Sequence, residues 1–321
     1  MIRPGRYHTN EDGKTLPCTA GERPCKFIHG DSQGEANANW HHTMESQLIP
    51  SPRKAPSASE EIRSNLRSTS LKHMSDSQLS EALLFEAEEL NFDTDKMSEA
   101  IALASDLHGK QYRKGSRGNI KTPPYIEHPL RNSLRLVRIN VTEQRIIIAS
   151  VLHDTVEDGA FVFAKRQGLS DREASNENAS RAMLISHIKN RFDSETCRIV
   201  LAVTNEISSP GQTLTTDQKH MIYFNHVKEN VINDPAAFLV KLSDFIDNAT
   251  GLYHSVSTMD PQKVRNQAKK YRLICDMFEH AAKTLDLPIP QHSRELILIS
   301  IRETRRRLDR IIAGWNGQGK I

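Results

Sequence analysis

The sequence predicts an all-α protein with a small N-terminal extension that contains cysteine and histidine. From about residue 77 onward, apolar residues recur at helical spacing, whereas no alternating run of useful length indicates a strand. Aromatic residues, which are enriched in strands, make up only 6% of the 321 residues. We expect helices near residues 78–90, 95–108, 125–138, 142–157, 178–205, 215–232, 235–251, 260–285 and 291–312.

The composition divides the chain into three parts. Residues 1–48 are rich in Gly, His, Cys and polar residues and form a candidate small zinc-finger-like module. Residues 49–77 are rich in Pro, Ser and charge, which is typical of a flexible linker. Residues 78–312 carry the helical patterns and are numerous enough to bury a substantial core.

The N-terminal part offers the ligand types of a structural Zn²⁺ site. Six residues separate Cys18 from Cys25, with His8 before them and His29 after them. This spacing is wider than the usual two to four residues, so a reduced pair in a small packed element or a tail is the alternative. If the module folds around zinc, it could recruit a partner protein or an RNA.

Charge and hydropathy argue against several protein classes. The net charge is only +3, so no overall field favours nucleic acid or a membrane. No run of 18 apolar residues predicts a transmembrane helix, and the first residues lack the apolar core of a signal peptide, so we expect a cytoplasmic protein. Cys197 and Cys275 fall in apolar helical patterns and are expected to be reduced, buried thiols.

The segment VLHDTVEDG contains the most informative residues. His153 and Asp154 are followed one helical turn later by Glu157 and Asp158, at the predicted end of a helix that is apolar on nearly every side. Carboxylates at the negative end of a helix dipole are unfavourable, so a positive group must compensate them, and a divalent cation would do so. The alternative is a simple His-Asp pair beside a solvated helix end that Gly159 caps.

Two other segments could complete a metal shell. His128 stands near the start of an amphipathic helix, and Asp244 and Asp247 interrupt an apolar run, where an acid needs a partner. His128, His153, Asp154 and Asp244 would supply nitrogen and oxygen ligands that suit Mn²⁺, Mg²⁺, Fe²⁺ or Zn²⁺ and leave positions open for water and substrate. The lack of sulfur disfavours a structural zinc site.

Five segments, in this order, resemble successive motifs of the RelA/SpoT-type HD-domain alarmone hydrolases: HGKQYRKG, PPYIEHPL, VLHDTVEDG, RIVLAVTNE and VKLSDFIDNATGL. The resemblance covers roughly residues 95–285. It implies a helical HD-domain bundle and Mn²⁺-dependent hydrolysis of the 3′-pyrophosphate of guanosine tetraphosphate or pentaphosphate. The products would be GDP or GTP and pyrophosphate.

The resemblance also implies roles for individual residues. It places His128, His153, Asp154 and Asp244 on the family's metal ligands. Glu157 and Asp158 match the paired acids that orient and activate the attacking water. The residues that match the nucleotide-binding positions are Arg113, Lys114, Lys241, Asn248 and Thr250.

The chain departs from the family pattern around the substrate pocket. Phe245, Ile246 and Asp247 stand where an aromatic or basic residue is usual, and Thr250 lies one place before the family's threonine. The loop between Arg113 and the next motif is longer than the usual connection. These differences leave the metal shell intact, so the chemistry is better supported than the identity of the substrate.

The residue types permit a hydrolytic mechanism. Glu157 is the best candidate general base and Asp158 the second. A 3′-pyrophosphate carries several negative charges, which Arg113 can bind bidentately and which Lys114 and Lys241 can bind as point charges.

Two alternatives remain at this stage. The chain could be an antitoxin that removes pyrophosphate from the 3′ end of tRNA modified by a cognate toxin, and the arginines of the predicted helix 291–312 could then contact the RNA backbone. An ordinary amphipathic surface helix is the favoured interpretation of those arginines. A catalytically silent, nucleotide-sensing or toxin-binding HD protein is the second alternative, but such a protein would not need a complete set of metal ligands and acids.

Overall fold

The computed structural model describes residues 58–113, 123–206, 213–256 and 259–314, together with the backbone of three short strands near the N-terminus. The chain forms two compact units, Met1–Ser64 and Asn65–Ile321. This division lies inside the segment 49–77 that the sequence predicts as a linker.

The described part of the N-terminal unit includes a small antiparallel sheet. Its strands are β1 (Tyr7–Thr9), β2 (Thr15–Pro17) and β3 (Ile28–Gly30), in the order β2-β1-β3. Each strand has only three residues, which is too short to produce an alternating pattern that the sequence could reveal.

The regular structure described in the larger unit is helical apart from an isolated β-bridge between Tyr112 and Pro124, which confirms the predicted fold class. Its helices and the one that precedes it are α1 (Ala58–Ser68), α2 (Asp76–Glu89), α3 (Thr94–His108), α4 (Glu127–Arg138), α5 (Gln144–Leu152), α6 (Thr155–Asp158), α7 (Ala160–Arg166), α8 (Asp171–Ala174), α9 (Glu177–Arg191), α10 (Ser194–Val203), α11 (Thr216–Asn230), α12 (Pro235–Ser255), α13 (Pro261–Arg272), α14 (Cys275–Thr284) and α15 (Gln291–Ile312).

Part of the expected linker is ordered. It contains α1 and a single 3₁₀ turn at Leu71–His73. Leu66 and Met74 are buried in the hydrophobic core, and the guanidinium of Arg138 donates a hydrogen bond to the carbonyl of Leu66. The linker expectation therefore fails over these residues, because their scattered apolar side chains find a core to pack against.

Three predicted long helices are each divided in two. The interval 178–205 breaks into α9 and α10 because the Asp193 carboxylate accepts a hydrogen bond from the backbone N–H of Thr196 and starts a new helix. The interval 260–285 breaks into α13 and α14, and the interval 142–157 breaks into α5 and α6. The short helices α7 and α8 were not expected.

The core surrounds α4, α5 and α12. Every residue of α5 from Ile146 to Leu152 is buried, as its all-round apolar pattern predicts. The rings of Phe238 and Phe245 on α12 pack edge-on against Phe278 of α14, with centroids 5.5 and 5.2 Å apart. These contacts hold α12, which carries several site residues, firmly in place.

The cysteines and the lengths of the described helices can also be compared with the sequence predictions. Cys197 and Cys275 are buried and reduced, as expected. Among the helices that the structure describes, none combines the length and the apolarity needed to span a lipid bilayer.

Candidate active site

Three helices bring the predicted metal ligands together. His128 lies in the first turn of α4, His153 directly follows the last residue of α5, and Asp244 lies midway along α12. All three side chains are buried. Because α4 packs against both α5 and α12, residues distant in sequence converge at one point.

The donor atoms of these residues are close enough to share one ion. One ligand atom from each of His128, His153 and Asp244 lies within 4.8 Å of the others. The Asp154 carboxylate oxygen Oδ2 lies 3.6 Å from His128 Nε2 and 3.1 Å from His153 Nε2. The four predicted ligands thus face one another, and their two nitrogens and several oxygens suit a divalent cation.

The imidazole of His153 supplies an independent test of fit. Its Nδ1 lies 2.8 Å from the carbonyl oxygen of Ser150, so Nδ1–H donates to that carbonyl and Nε2 is the ring nitrogen that faces the cluster. His153 Nε2 is buried, and although Asp154 Oδ2 lies 3.1 Å away, this contact lacks hydrogen-bond geometry, so Nε2 has no hydrogen-bond partner among the described residues. A buried, unsatisfied nitrogen aimed at two carboxylates is the arrangement that a metal ion would complete.

Electrostatics within the cluster are strong. Burial alone would lower the pKa of His153, but the neighbouring Asp154 carboxylate outweighs it and raises this pKa to about 9. Burial alone would raise the pKa of Asp244, but the Lys241 ammonium and His128 hold it below its usual range. The carboxylates therefore stay ionised at neutral pH, as metal ligands must.

The backbone around His153 and Asp154 differs from the expected continuous helix. The helix stops at Leu152, and Asp154 is the N-cap residue of the short helix α6. The hydroxyl of Thr155 donates a hydrogen bond to the carbonyl of Leu152 at 2.7 Å, and the imidazole Nδ1 of His153 donates one to the carbonyl of Ser150. These side chains therefore satisfy the carbonyl oxygens that the helix break exposes. Asp154 therefore begins a helix and does not end one, so the expected conflict with a helix dipole is wrong for this residue, whereas Asp158 does end the short helix and Gly159 is its C-cap.

Asp247 is a site residue whose role the sequence did not reveal. Its side chain is fully buried, and its Oδ2 lies 2.8 Å from His128 Nδ1. This contact fixes the ring orientation and points His128 Nε2 at Asp244, 3.1 Å away. Asp247 thus acts on the metal cluster through the imidazole that it holds, as carboxylates behind metal-binding histidines commonly do.

Cations surround the same carboxylate. Arg131 donates to both oxygens of Asp247 at 3.0 and 3.2 Å, and Arg135 and Lys72 approach Oδ1 at 3.3 and 3.0 Å. Arg113 lies 3.6 Å from Oδ2. Burial would raise the pKa of Asp247, but His128 and these guanidinium groups hold it well below its usual range. Glu127 also pairs with Arg131 at 3.1 Å, so four cations face two carboxylates and leave this side of the site positively charged.

The two candidate acids, Glu157 and Asp158, differ in burial. Glu157 is half-buried and accepts hydrogen bonds from the backbone N–H of Asn205 at 2.6 Å and from its side-chain amide at 2.9 Å. Asp158 is exposed, and its backbone carbonyl accepts a hydrogen bond from Gln111. Asn205 therefore orients the Glu157 carboxylate.

The residues expected to bind substrate are partly in place. The Arg113 guanidinium donates to the Asn248 side-chain oxygen at 3.2 Å, and the Asn248 amide donates to Asp244 at 2.5 Å. Lys241 is buried, with its ammonium 3.2 Å from Asp244 Oδ2. The Thr250 hydroxyl donates to the carbonyl of Ile246 in its own helix. Lys114 lies outside the described residues.

Sequence reasoning missed several neighbours of the cluster. The Tyr125 hydroxyl donates to Asp154 Oδ2 at 2.6 Å, although Tyr125 stands inside the quoted segment PPYIEHPL. Asn205 likewise stands inside RIVLAVTNE, and it orients Glu157. The sequence did indicate that Asp247 needs a partner, because it is an acid that interrupts an apolar run. It gave no such indication for Lys72, because that residue lies in the segment interpreted as a linker.

The candidate zinc ligands lie in the N-terminal unit. In the register of β1 and β3, His8 stands opposite His29. Cys18 and Cys25 lie outside the described residues, so zinc binding stays a prediction.

The arginines of α15 are mostly paired with acids. Arg302 donates to Glu279, Arg305 donates to Asp276 and Glu279, and Arg307 donates to Glu303. The contacts of Arg302 and Arg305 join α15 to α14, whereas the Arg307 pair lies within α15, and together they favour the surface-helix interpretation over contact with RNA.

Comparison with known proteins supports the resemblance that the motifs indicate. No family model matches the chain. Over 161 residues, half of the chain, it is 27% identical to a guanosine-3′,5′-bis(diphosphate) 3′-pyrophosphohydrolase of Aquifex aeolicus, of which it spans 18%. Over 173 residues, 54% of the chain, it is 27% identical to the pyrophosphohydrolase MESH1 of Drosophila melanogaster, of which it spans 78%.

A solved structure is also similar. A metazoan ortholog of SpoT, described as hydrolysing ppGpp and playing a role in starvation responses, matches 67% of this chain and 97% of its own, with 18% identity and a TM-score of 0.47. The two curated relatives confirm that this chain resembles the HD-type alarmone hydrolases.

Proposed function

We propose that this chain is a Mn²⁺-dependent pyrophosphohydrolase that removes the 3′-pyrophosphate from guanosine tetraphosphate or pentaphosphate. The observation that carries the proposal is the buried convergence of His128, His153 and Asp244, with Asp154 beside them. The names of the two curated relatives support the same substrate class.

The proposed reaction breaks the bond between the ribose 3′ oxygen and phosphorus. The oxygen of water forms the new bond to phosphorus, pyrophosphate leaves, and the 3′ oxygen takes up a proton to give GDP or GTP. A divalent ion held by His128, His153, Asp154 and Asp244 would supply Lewis acidity for this displacement.

The protein's own groups would position the water and the substrate. Glu157, whose carboxylate Asn205 orients, is the proposed base that accepts the proton of water. Arg113 and Lys241 are the proposed cations for the phosphates, and each already touches a residue beside the metal cluster. Asn248 joins the two sides, since it contacts both Arg113 and Asp244.

Pyrophosphate release from guanosine tetraphosphate tests this proposal. We expect the wild-type protein to release pyrophosphate with Mn²⁺ and not with excess chelator. Asp154→Asn and Glu157→Gln should each lower the rate by about a hundredfold or more, because a metal ligand or the base is lost. Glu81→Gln, at an exposed glutamate on α2, is the matched control and should keep full activity. Equal rates in Glu157→Gln and Glu81→Gln would contradict the role of Glu157.

A parallel assay decides between this proposal and the tRNA alternative. The same protein is offered tRNA that carries a 3′-pyrophosphate. Faster release from tRNA than from guanosine tetraphosphate would replace the proposed substrate while leaving the site chemistry intact. An intact, folded sample that releases pyrophosphate from neither would favour the non-catalytic alternative.

A further inference from the structure

A second cationic cluster lies beside the metal-binding residues. It consists of Tyr223 on α11, Lys241 on α12 and Lys270 on α13, and we call it the tyrosine-lysine cluster. The ammonium of Lys270 lies 3.9 Å from the centroid of the Tyr223 ring, and that of Lys241 lies 5.6 Å from the same centroid. Lys241 in turn lies 3.2 Å from Asp244 Oδ2, so the cluster extends directly from a metal ligand.

The two lysines differ in how their charge is balanced. Lys241 has the Asp244 carboxylate as a partner. Within the described parts of the chain, Lys270 makes no hydrogen bond or ion pair, and its contacts are the faces of Tyr223 and Tyr271. The hydroxyl of Tyr223 is buried and likewise makes no hydrogen bond to a described residue. The outer end of the cluster thus holds an ammonium and a hydroxyl that have no hydrogen-bond partner among the described residues.

This arrangement is unfavourable unless an anion joins it. Burial, and then the repulsion of the Lys241 ammonium, lower the pKa of Lys270 to about 8, against the weaker opposing attraction of Asp244 and Glu157. A contact that only joined α11 to α13 would be made equally well by an apolar side chain on the Tyr223 ring. An ammonium ion placed near a second one, close to a phosphate-cleaving site, is instead suited to bind a group with several negative charges.

We propose that Lys270 is a substrate-binding residue which, together with Lys241, holds the pyrophosphate group that is cleaved. This inference rests on the proposed function and names the part of the substrate that this side of the site contacts. The cluster joins the metal-binding residues through Asp244, so an anion bound there lies next to the reacting phosphorus. Arg113 lies instead at Asp247 and Asn248, where it is placed to bind another part of the nucleotide.

Binding of inorganic pyrophosphate tests the inference. Titration calorimetry without added metal compares the wild type with Lys270→Met and with Lys269→Met. Lys269 is the exposed neighbour on the same helix, so its loss changes the net charge equally without touching the cluster. We expect Lys270→Met to bind pyrophosphate about tenfold or more weakly, because one charge-assisted hydrogen bond is lost, and Lys269→Met to bind like the wild type.

GDP, the other product, is the second probe. Its affinity should be the same in all three proteins, because GDP lacks the 3′-pyrophosphate. The inference is overturned if Lys270→Met binds pyrophosphate as tightly as the wild type, if both variants weaken it equally, or if GDP binding is the one that falls. A cooperative thermal transition close to that of the wild type shows that Lys270→Met is folded.

The outcome is separable from that of the proposed function. Pyrophosphate binding needs no turnover, so it can be measured even in a protein that fails to hydrolyse guanosine tetraphosphate. If the protein is active but Lys270→Met leaves its pyrophosphate affinity unchanged, the proposed function stands and this inference is wrong. In an active protein we also expect Lys270→Met to raise KM for guanosine tetraphosphate by a similar factor.

Discussion

Asp247 is the residue that connects the metal-binding side of the site to the substrate-binding side. It holds His128 through Nδ1, and it also contacts Arg131, Arg135 and Lys72. A single carboxylate therefore fixes a metal ligand and neutralises part of a buried cationic cluster.

Replacement of Asp247 by Asn should weaken metal binding. The substitution keeps the shape but removes the charge that orients His128, so we expect Mn²⁺ affinity to fall about 10- to 100-fold. It also leaves buried cations uncompensated, which should lower the free energy of unfolding by about 3 kcal/mol. Mn²⁺ titration and chemical denaturation measure the two effects. Asp286→Asn, at an exposed aspartate, is the control, and a folded Asp247→Asn protein with unchanged Mn²⁺ affinity would refute this role.

The lowered pKa of Lys270 predicts that the affinity for pyrophosphate depends on pH. Its pKa is lowered to about 8, so it is charged below that pH and becomes neutral as the pH rises through it. The groups that act on it are Lys241 and Asp244 on α12 and Glu157 on α6. We expect the ratio of wild-type to Lys270→Met affinity for pyrophosphate to decline between pH 7 and pH 9.5. The ionisation of pyrophosphate affects both proteins equally, so it cancels in this ratio. A ratio that stays constant over this pH range would show that the charge of Lys270 does not contribute to pyrophosphate binding.

At the residue scale, the sequence indicates the metal ligands more readily than the neutral side chains that hydrogen-bond to the site. His153 and Asp154 were recognisable because an imidazole and several acids follow an apolar helix. Asn205 and Tyr125 were not assigned, because a neutral hydrogen-bonding side chain inside a motif carries no charge pattern. Their roles depend on which helices pack together, and that is not encoded in local spacing.

At the scale of elements, the close approach of α3 to the junction of α6 and α7 positions the acids. A Cβ added at Gly159 would meet the carbonyl oxygen of Thr155 at 2.8 Å and the Cβ of Leu107 at 2.9 Å. Both atoms belong to or adjoin the backbone, so one helix would have to move.

Two glycine substitutions should therefore act in opposite directions. Gly159→Ala should lower the free energy of unfolding by about 1–3 kcal/mol because it overpacks this junction. Gly251→Ala, inside α12, has Lys72 Nζ as its nearest neighbour at 3.8 Å and should raise it by about 0.5–1 kcal/mol, since alanine favours helix. Urea denaturation compares both with the wild type. A stabilising Gly159→Ala would mean that the helices have room to spare there.

Helix positions were predictable to within a few residues, but their interruptions were not. The apolar pattern runs through the break between α5 and α6 without a change of period, so periodicity alone predicts one helix over residues 142–157. The break becomes visible only when side chains of Thr155 and His153 take the exposed carbonyls. At this break, Asp154 Oδ2 comes within 3.1 Å of His153 Nε2.

At the scale of the whole molecule, the chain has two compact units with different candidate metals. The larger unit carries the hydrolytic cluster, and the N-terminal unit has His8 and His29 in register on neighbouring strands. The fold class was predictable because helical periodicity covers most of the chain, whereas the small sheet was not, since its strands are too short.

Metal content should distinguish the two units. We expect one zinc ion per chain in protein purified without added metal, lost in Cys18→Ser and retained in Asp154→Asn. Plasma mass spectrometry measures the stoichiometry. Zinc that is lost in Asp154→Asn and retained in Cys18→Ser would place the ion in the hydrolytic cluster and remove the case for a zinc module.

The position of a bound Mn²⁺ ion tests the account most directly. Anomalous diffraction from a crystal grown with Mn²⁺ should show a peak about 2.0–2.3 Å from the imidazole nitrogens of His128 and His153 and from carboxylate oxygens of Asp154 and Asp244. We expect one such peak, with Asp247 hydrogen-bonded to His128 Nδ1 and not bound to the ion. A peak elsewhere, or none at saturating Mn²⁺, would contradict the proposed metal-dependent site.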